Sequence, residues 1–200
     1  MSFTFSIPIR RNEEFLVILK RAAFHKMVSH ASAFLNDRKE VLGLLIGREK
    51  NAKTLVVERV VPITEGSESS VQLQEPEFLI YEKLYLDESA GEFVVGWYHS
   101  HPFWGLFLSS IDIETHSLAF QLRYPKAVAI VIDPALAEKA HDPKAVEVFR
   151  VINPMEWTSF RYETLTWTLD QKEALQSSCI DMDNKLELSG KASNEENRPK

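Results

Sequence analysis

Residues 96–114, GWYHSHPFWGLFLSSIDIE, gather the side chains of this chain that can do chemistry. His99 and His101 stand one residue apart, two of only six histidines in the sequence. On an extended strand alternate side chains share a face, so both imidazoles point one way and Ser100 the other. Two imidazoles at that spacing can converge on one ion. Zinc accepts histidine nitrogen and carboxylate oxygen, and a catalytic zinc keeps three protein ligands and one open position. Asp112 follows after the apolar stretch PFWGLFL, which can turn the chain back so that this carboxylate becomes the third ligand. Ser109 and Asp112 also make an S-x-x-D helix start, a pattern that capping alone would explain. A hydrolase built on such a centre needs a general base. Glu40, Glu77, Glu92 and Glu114 all qualify on spacing, and residue types do not choose among them. The chain has no H-E-x-x-H, so the common metalloprotease helix is absent.

These groups must be positioned by elements whose periodicity can be read directly. A strand is predicted over 14–20 and a helix over 21–36, where Ala23, Met27, His30, Ala31 and Leu35 recur at helical spacing. VLGLLIG (41–47) is apolar without alternation, as in a strand covered on both faces, and its glycines permit close backbone approach. A second β-rich run, 54–63, is expected to end at Pro62, and the polar stretch 64–77 reads as an exposed loop. Residues 76–90 look helical, 92–100 form a strand stopped by Pro102, and 109–123 form a helix with a serine start. Strands follow at 127–133 and 145–151, separated by PALAEKAHDPK, and the last at 160–169 alternates as a half-exposed strand does. Strands alternate with helices around one core. The fold class is therefore α/β or α+β, a mixed sheet flanked by helices in a single domain.

Bulk properties narrow the function. Two hundred residues suit one domain of ordinary size, and 44% hydrophobic with 26% charged residues is the composition of a globular protein. A formal net charge of -6 with no basic stripe argues against a nucleic-acid partner. The N-terminal stretch lacks a basic-then-apolar signal pattern, and no apolar run approaches the roughly 20 residues of a membrane span. A cytoplasmic protein is expected, in keeping with a single cysteine, Cys179, too few for a disulfide framework. Cys179 sits in a polar tail without a nearby histidine, which makes a cysteine nucleophile a poor reading. His25 and His30 read as helix-face residues, His116 and His141 as surface ones, and Trp157 and Trp167 as packing for the last strand. Residues 171–200 form a C-terminal tail, partly helical or disordered.

The pattern His99-Ser100-His101-Pro102, then Ser109 and Asp112, with Glu40 opening KEVLGLLIG far upstream, resembles the JAMM (MPN+) metalloprotease signature. Within that family, EVLGLLIG, VVGWYHSHP, LSSIDIETH and AVAIVIDP are most similar to the deubiquitinases of the proteasome lid, in the same order and over about residues 13–152. The resemblance implies a JAB1/MPN-type domain over 13–170. It implies one zinc ion per chain on His99, His101 and Asp112, with Glu40 as the acid/base that deprotonates water and Ser109 as a donor to the developing oxyanion. It further implies hydrolysis of the isopeptide bond between the C-terminal glycine of ubiquitin, or a ubiquitin-like modifier, and a substrate lysine. Partners would then be ubiquitin or ubiquitin-like conjugates, with the proteasome or another MPN subunit. The alternatives are a protease for a different small modifier, deneddylase-like or archaeal, and a metal-free MPN scaffold, whose members lack ligands that are all present here. Where lid subunits have a glycine-rich turn after His-Pro, this chain has the bulky Phe103-Trp104-Gly105. Segments 64–77 and 103–108 are the expected walls of a groove that takes the modifier tail by strand addition, with Phe103 and Trp104 at its border.

Overall fold

Seven strands pair into one mixed sheet that closes on itself, in the order β1-β3-β2-β4-β5-β6-β7. The computed structural model describes residues 10–65, 91–155 and 161–170. Along the chain run β1 (Arg10–Leu19), α1 (Arg21–Ala33), β2 (Val41–Asn51), β3 (Thr54–Glu65), β4 (Phe93–Ser100), α2 (Ser110–Thr115), β5 (Val128–Ile132), β6 (Val146–Val151) and β7 (Tyr162–Leu169). The pairs β1–β3, β1–β7 and β4–β5 are parallel and the others antiparallel. The mixed sheet is the one the sequence predicts. Its closure is a long-range property that hydrophobic periodicity does not carry.

The continuous apolar runs are explained by burial on both faces. On β2, Val41 and Leu45 pack on one side with Phe24, Met27, Val28 and Ala31 of α1. Leu42, Leu44 and Ile46 pack on the other with Trp97, Phe120, Phe149 and Tyr162. Gly43 is required by contact: a Cβ there would fall 2.3 Å from Cε1 of Tyr98. Burying these side chains contributes on the order of 1.5–3 kcal/mol for each large residue.

A single irregularity on β4 decides which way the histidines face. Leu45 pairs with Gly96 but Ile46 pairs with Val94, so Val95 is an extra residue in the strand. Val94 and Trp97 consequently belong to one core, and Val95 and Tyr98 to the other. A bulge reverses the alternation of everything beyond it. Trp97, His99 and His101 therefore share the face turned toward α2, while Tyr98 and Ser100 face α1.

Several elements differ from expectation, among them β1, which begins at Arg10, α1, which ends at Ala33, and β2, which runs on to Asn51. β3 does not end at Pro62; it runs on to Glu65, because Pro62 sits beside a register shift where Leu42 pairs with Thr64 and Gly43 with Pro62. A proline is tolerated at a bulge, where no ladder hydrogen bond is missing. The helix expected over 109–123 starts as an α-helix and widens into a π-helix over His116–Gln121. The PALAEKAHDPK segment contains two short 3-10 turns, Pro134–Leu136 and Pro143–Ala145, capped by Asp133 and Asp142. The expected helix at 76–90, most of the 64–77 loop, Glu77, Trp157, Cys179 and the tail from 171 lie outside the described residues. Among the described residues no helix is long and apolar enough to cross a membrane.

Candidate metal centre

β4 delivers the two imidazoles, and a clasped turn delivers the carboxylate. His101 continues the ladder past β4, its N–H donating to the Ile132 carbonyl at 2.8 Å. The chain then turns tightly. The buried Asp133 carboxylate accepts from the Phe103 and Gly105 N–H groups at 3.1 and 2.7 Å, holding Phe103 at φ 68. Left-handed backbone is strained for a bulky residue, and the Asp133 bonds, with the Trp104 N–H donating to the His101 carbonyl at 3.1 Å, hold the turn. Leu108 is fully buried and anchors the return. α2 then opens with a reciprocal capping box: Ser109 Oγ accepts from the Asp112 N–H at 3.2 Å, and Asp112 Oδ2 accepts from the Ser109 N–H at 2.7 Å.

The result is a convergent triangle of ligand atoms. His99 Nε2 and His101 Nε2 are 3.0 Å apart, Asp112 Oδ1 is 3.3 Å from His99 Nε2, and Asp112 Oδ2 is 3.4 Å from His101 Nε2. A tetrahedral zinc with bonds of about 2.0–2.1 Å has ligand–ligand edges of about 3.3 Å. The spacing and the donor set, two imidazole nitrogens and one carboxylate, both fit zinc. Among the described residues this is the one group of three acidic, histidine or cysteine side chains so arranged, and all three are buried.

Glu40 reaches the same place from another strand. Leu42 of β2 pairs with His99, so continuing that antiparallel register sets Glu40 opposite His101. The Val41 N–H donates to Ser100 Oγ at 2.9 Å, which ties the start of β2 to the end of β4 and uses the serine that faces away from the histidines. Burial raises the Glu40 carboxyl to about 7; His101 opposes that shift and Asp112 adds to it. Burial alone would also raise Asp112, but His99 and His101 outweigh it and hold that carboxylate well below its ordinary range. Burial keeps His99 neutral, the state a ligand needs. Of the other candidate bases, Glu92 pairs with Arg59 at the opposite end of β4 and Glu114 is exposed.

Phe103 and Trp104 project from the clasped turn, 59% and 46% exposed, and Arg38 lies over the Phe103 ring at 5.3 Å. His116 is the residue that sequence reading misplaced. It is completely buried rather than on the surface, and its Nδ1 accepts from Trp97 Nε1 at 3.2 Å. Its position four residues after Asp112 was the available signal, since i and i+4 share a helix face.

A closed mixed barrel carries at one strand end a His-His-Asp cluster that could hold a metal ion, with a buried glutamate facing it. The sequence profile described as the JAB1/Mov34/MPN/PAD-1 ubiquitin protease matches residues 15–123, which include Glu40, His99, His101, Ser109 and Asp112. The chain belongs to that family. It is 36% identical over 152 residues to the 26S proteasome regulatory subunit rpn11 of Schizosaccharomyces pombe, covering 74% of this chain and 46% of that protein. It is 38% identical over 121 residues to the COP9 signalosome complex subunit 5 of Neurospora crassa, covering 59% and 35%. The chain thus spans less than half the length of these relatives. A solution structure from Desulfitobacterium hafniense has the same fold, with a TM-score of 0.54 at 24% identity over 77% of this chain and 92% of that one.

Proposed function

We propose that this chain is a zinc-dependent isopeptidase acting on the bond between the C-terminal glycine of ubiquitin, or a ubiquitin-like modifier, and a substrate lysine. The observation that carries the reading is the placement of Glu40 opposite His101, beside three convergent ligand atoms, in a member of this family. His99, His101 and Asp112 would hold the metal. Bound zinc supplies a Lewis acid that makes water more acidic and polarises the scissile carbonyl. Glu40, with its carboxyl raised to about 7, is matched to take a proton from the attacking water and return it to the leaving lysine amine. Ser109 Oγ accepts the capping bond from Asp112 N–H, which leaves its own hydrogen to donate to the developing oxyanion. Capping and catalysis therefore do not compete for the same atom.

The catalytic domain of this reading runs over 13–170. β1 pairs with β3 only over Thr54–Val57, so among the described residues the later part of β3 keeps one side free of strand pairing as it approaches the Glu40 end. That edge supports entry of an extended tail by strand addition. Membership of a larger assembly with another MPN subunit accords with the relatives named as proteasome and signalosome subunits. The test is incubation of the purified protein with isopeptide-linked ubiquitin and with other ubiquitin-like conjugates, with and without a zinc chelator. Chelator-sensitive cleavage after the terminal glycine of one modifier is the expected result. No cleavage of any conjugate by zinc-loaded protein would overturn the reading and favour a scaffold.

A further inference from the structure

A histidine that ligates a metal usually donates its other ring N–H to a carboxylate, carbonyl or water, which fixes the ring. His99 Nδ1 is buried and no described protein group bonds it, and the same holds for His101 Nδ1. For His99, ring packing offers an orienting contact. The Trp97 indole lies against it, with centroids 4.5 Å apart and planes inclined by 13°. Stacking fixes the tilt of a ring but leaves it free to slide, so the indole itself needs an in-plane anchor. That anchor is the buried Trp97 Nε1–H donating to His116 Nδ1 at 3.2 Å. Phe120 runs near-parallel to both Trp97 and His116, at 5.7 and 6.2 Å. His116 and Phe120 both lie on the π-helix, whose Gln121 is fixed by two bonds to the Val151 backbone, each 3.0 Å. Such widened turns are frequent at functional sites.

We propose that Trp97 and His116 are positioning residues for the metal centre, setting the His99 ring by a stack locked with the indole-to-imidazole hydrogen bond. An indole nitrogen only donates, so His116 must present an unprotonated Nδ1. The proposal rests on the metal-centre reading of His99, His101 and Asp112.

The test uses the purified full chain, stripped of metal, titrated with zinc against a chromophoric chelator, and separately loaded with cobalt, whose d–d absorption reports ligand geometry. His116→Leu removes the acceptor and should weaken zinc binding about tenfold or more and shift the cobalt bands. His116→Gln offers a carbonyl to the indole and should restore affinity to within about threefold. Trp97→Phe keeps a ring against His99 without an N–H; it should weaken zinc binding too, and adding His116→Leu to it should change little further, because the two act through one bond. Unchanged zinc affinity and cobalt bands in Trp97→Phe overturn the proposal even if His116→Leu does not fold. So does a Gln variant as weak as the Leu variant, or a full additional loss in the double variant. If the wild type takes up no zinc, the metal-centre reading falls and this proposal with it. If it binds zinc as described and cleaves no modifier, only the isopeptidase reading falls.

Discussion

Two histidine pairs lie in this molecule, and only one is arranged as a ligand set could be. His99 and His101 are buried, their Nε2 atoms meet at 3.0 Å, and Asp112 closes the triangle. His25 and His141 are also neighbours, with ring centroids 4.3 Å apart, but their planes are inclined by only 27° and they stack face to face. His141 Nε2 is engaged by Ser29 Oγ at 2.9 Å. Stacked rings offer each other π-faces rather than lone pairs, and among the described residues no carboxylate completes that pair as Asp112 completes the other. Proximity of imidazoles is therefore insufficient. A centre needs convergent nitrogens, an anionic third ligand and the low-dielectric surroundings that keep water from competing.

The sharpest way to probe the first region is to remove the proposed base without touching the proposed ligands. Glu40→Gln should retain zinc and fold while turnover falls by about 10²–10⁴, since an amide cannot take a proton. The pH dependence follows from the same residue. Its deprotonated form is the active one, so wild-type kcat/KM should rise with pH on an acidic limb at or below about 7, because a nearby cation can only favour the carboxylate. That limb should be missing from the residual activity of the variant. Wild-type turnover in Glu40→Gln would assign the base elsewhere.

Trp104→Ala examines the border of the centre rather than its core. The half-exposed indole should contribute about 1–3 kcal/mol to substrate binding, seen mainly in KM with zinc content unchanged. Unaltered kinetics with a large drop in thermal stability would place it among packing residues. The smallest effect belongs to the second pair. His141→Ala should leave zinc stoichiometry and turnover at wild-type values and lower stability by about 1 kcal/mol, the scale of the one hydrogen bond it loses. A loss of bound zinc in that variant would erase the distinction between the two pairs.

The convergence of His99, His101 and Asp112 was legible because their spacing is local: alternation on one strand, one turn and the first turn of a helix. Glu40 was not legible from residue types, since its approach to His101 depends on β2–β4 pairing across a long stretch of sequence. Only the resemblance singled it out from Glu77, Glu92 and Glu114. The bulge at Val95, which turns both histidines toward α2, leaves no mark in a run that is apolar on both faces. His116 did carry a local signal in its place four residues after Asp112, but the indole that meets it comes from another element and cannot be read from the helix alone. Pro62 misled in the opposite sense, because the bulge that accommodates it forms only against β2.

The central claim is that one zinc ion sits among His99, His101 and Asp112. Anomalous diffraction at the zinc edge, from crystals grown with equimolar zinc, tests it most directly. The expected map has one peak per chain, about 2.0–2.2 Å from the two Nε2 atoms and an Asp112 oxygen, and none in His101→Ala crystals. A peak at His25 and His141 instead, or no peak near His99 in the wild type, would contradict the account.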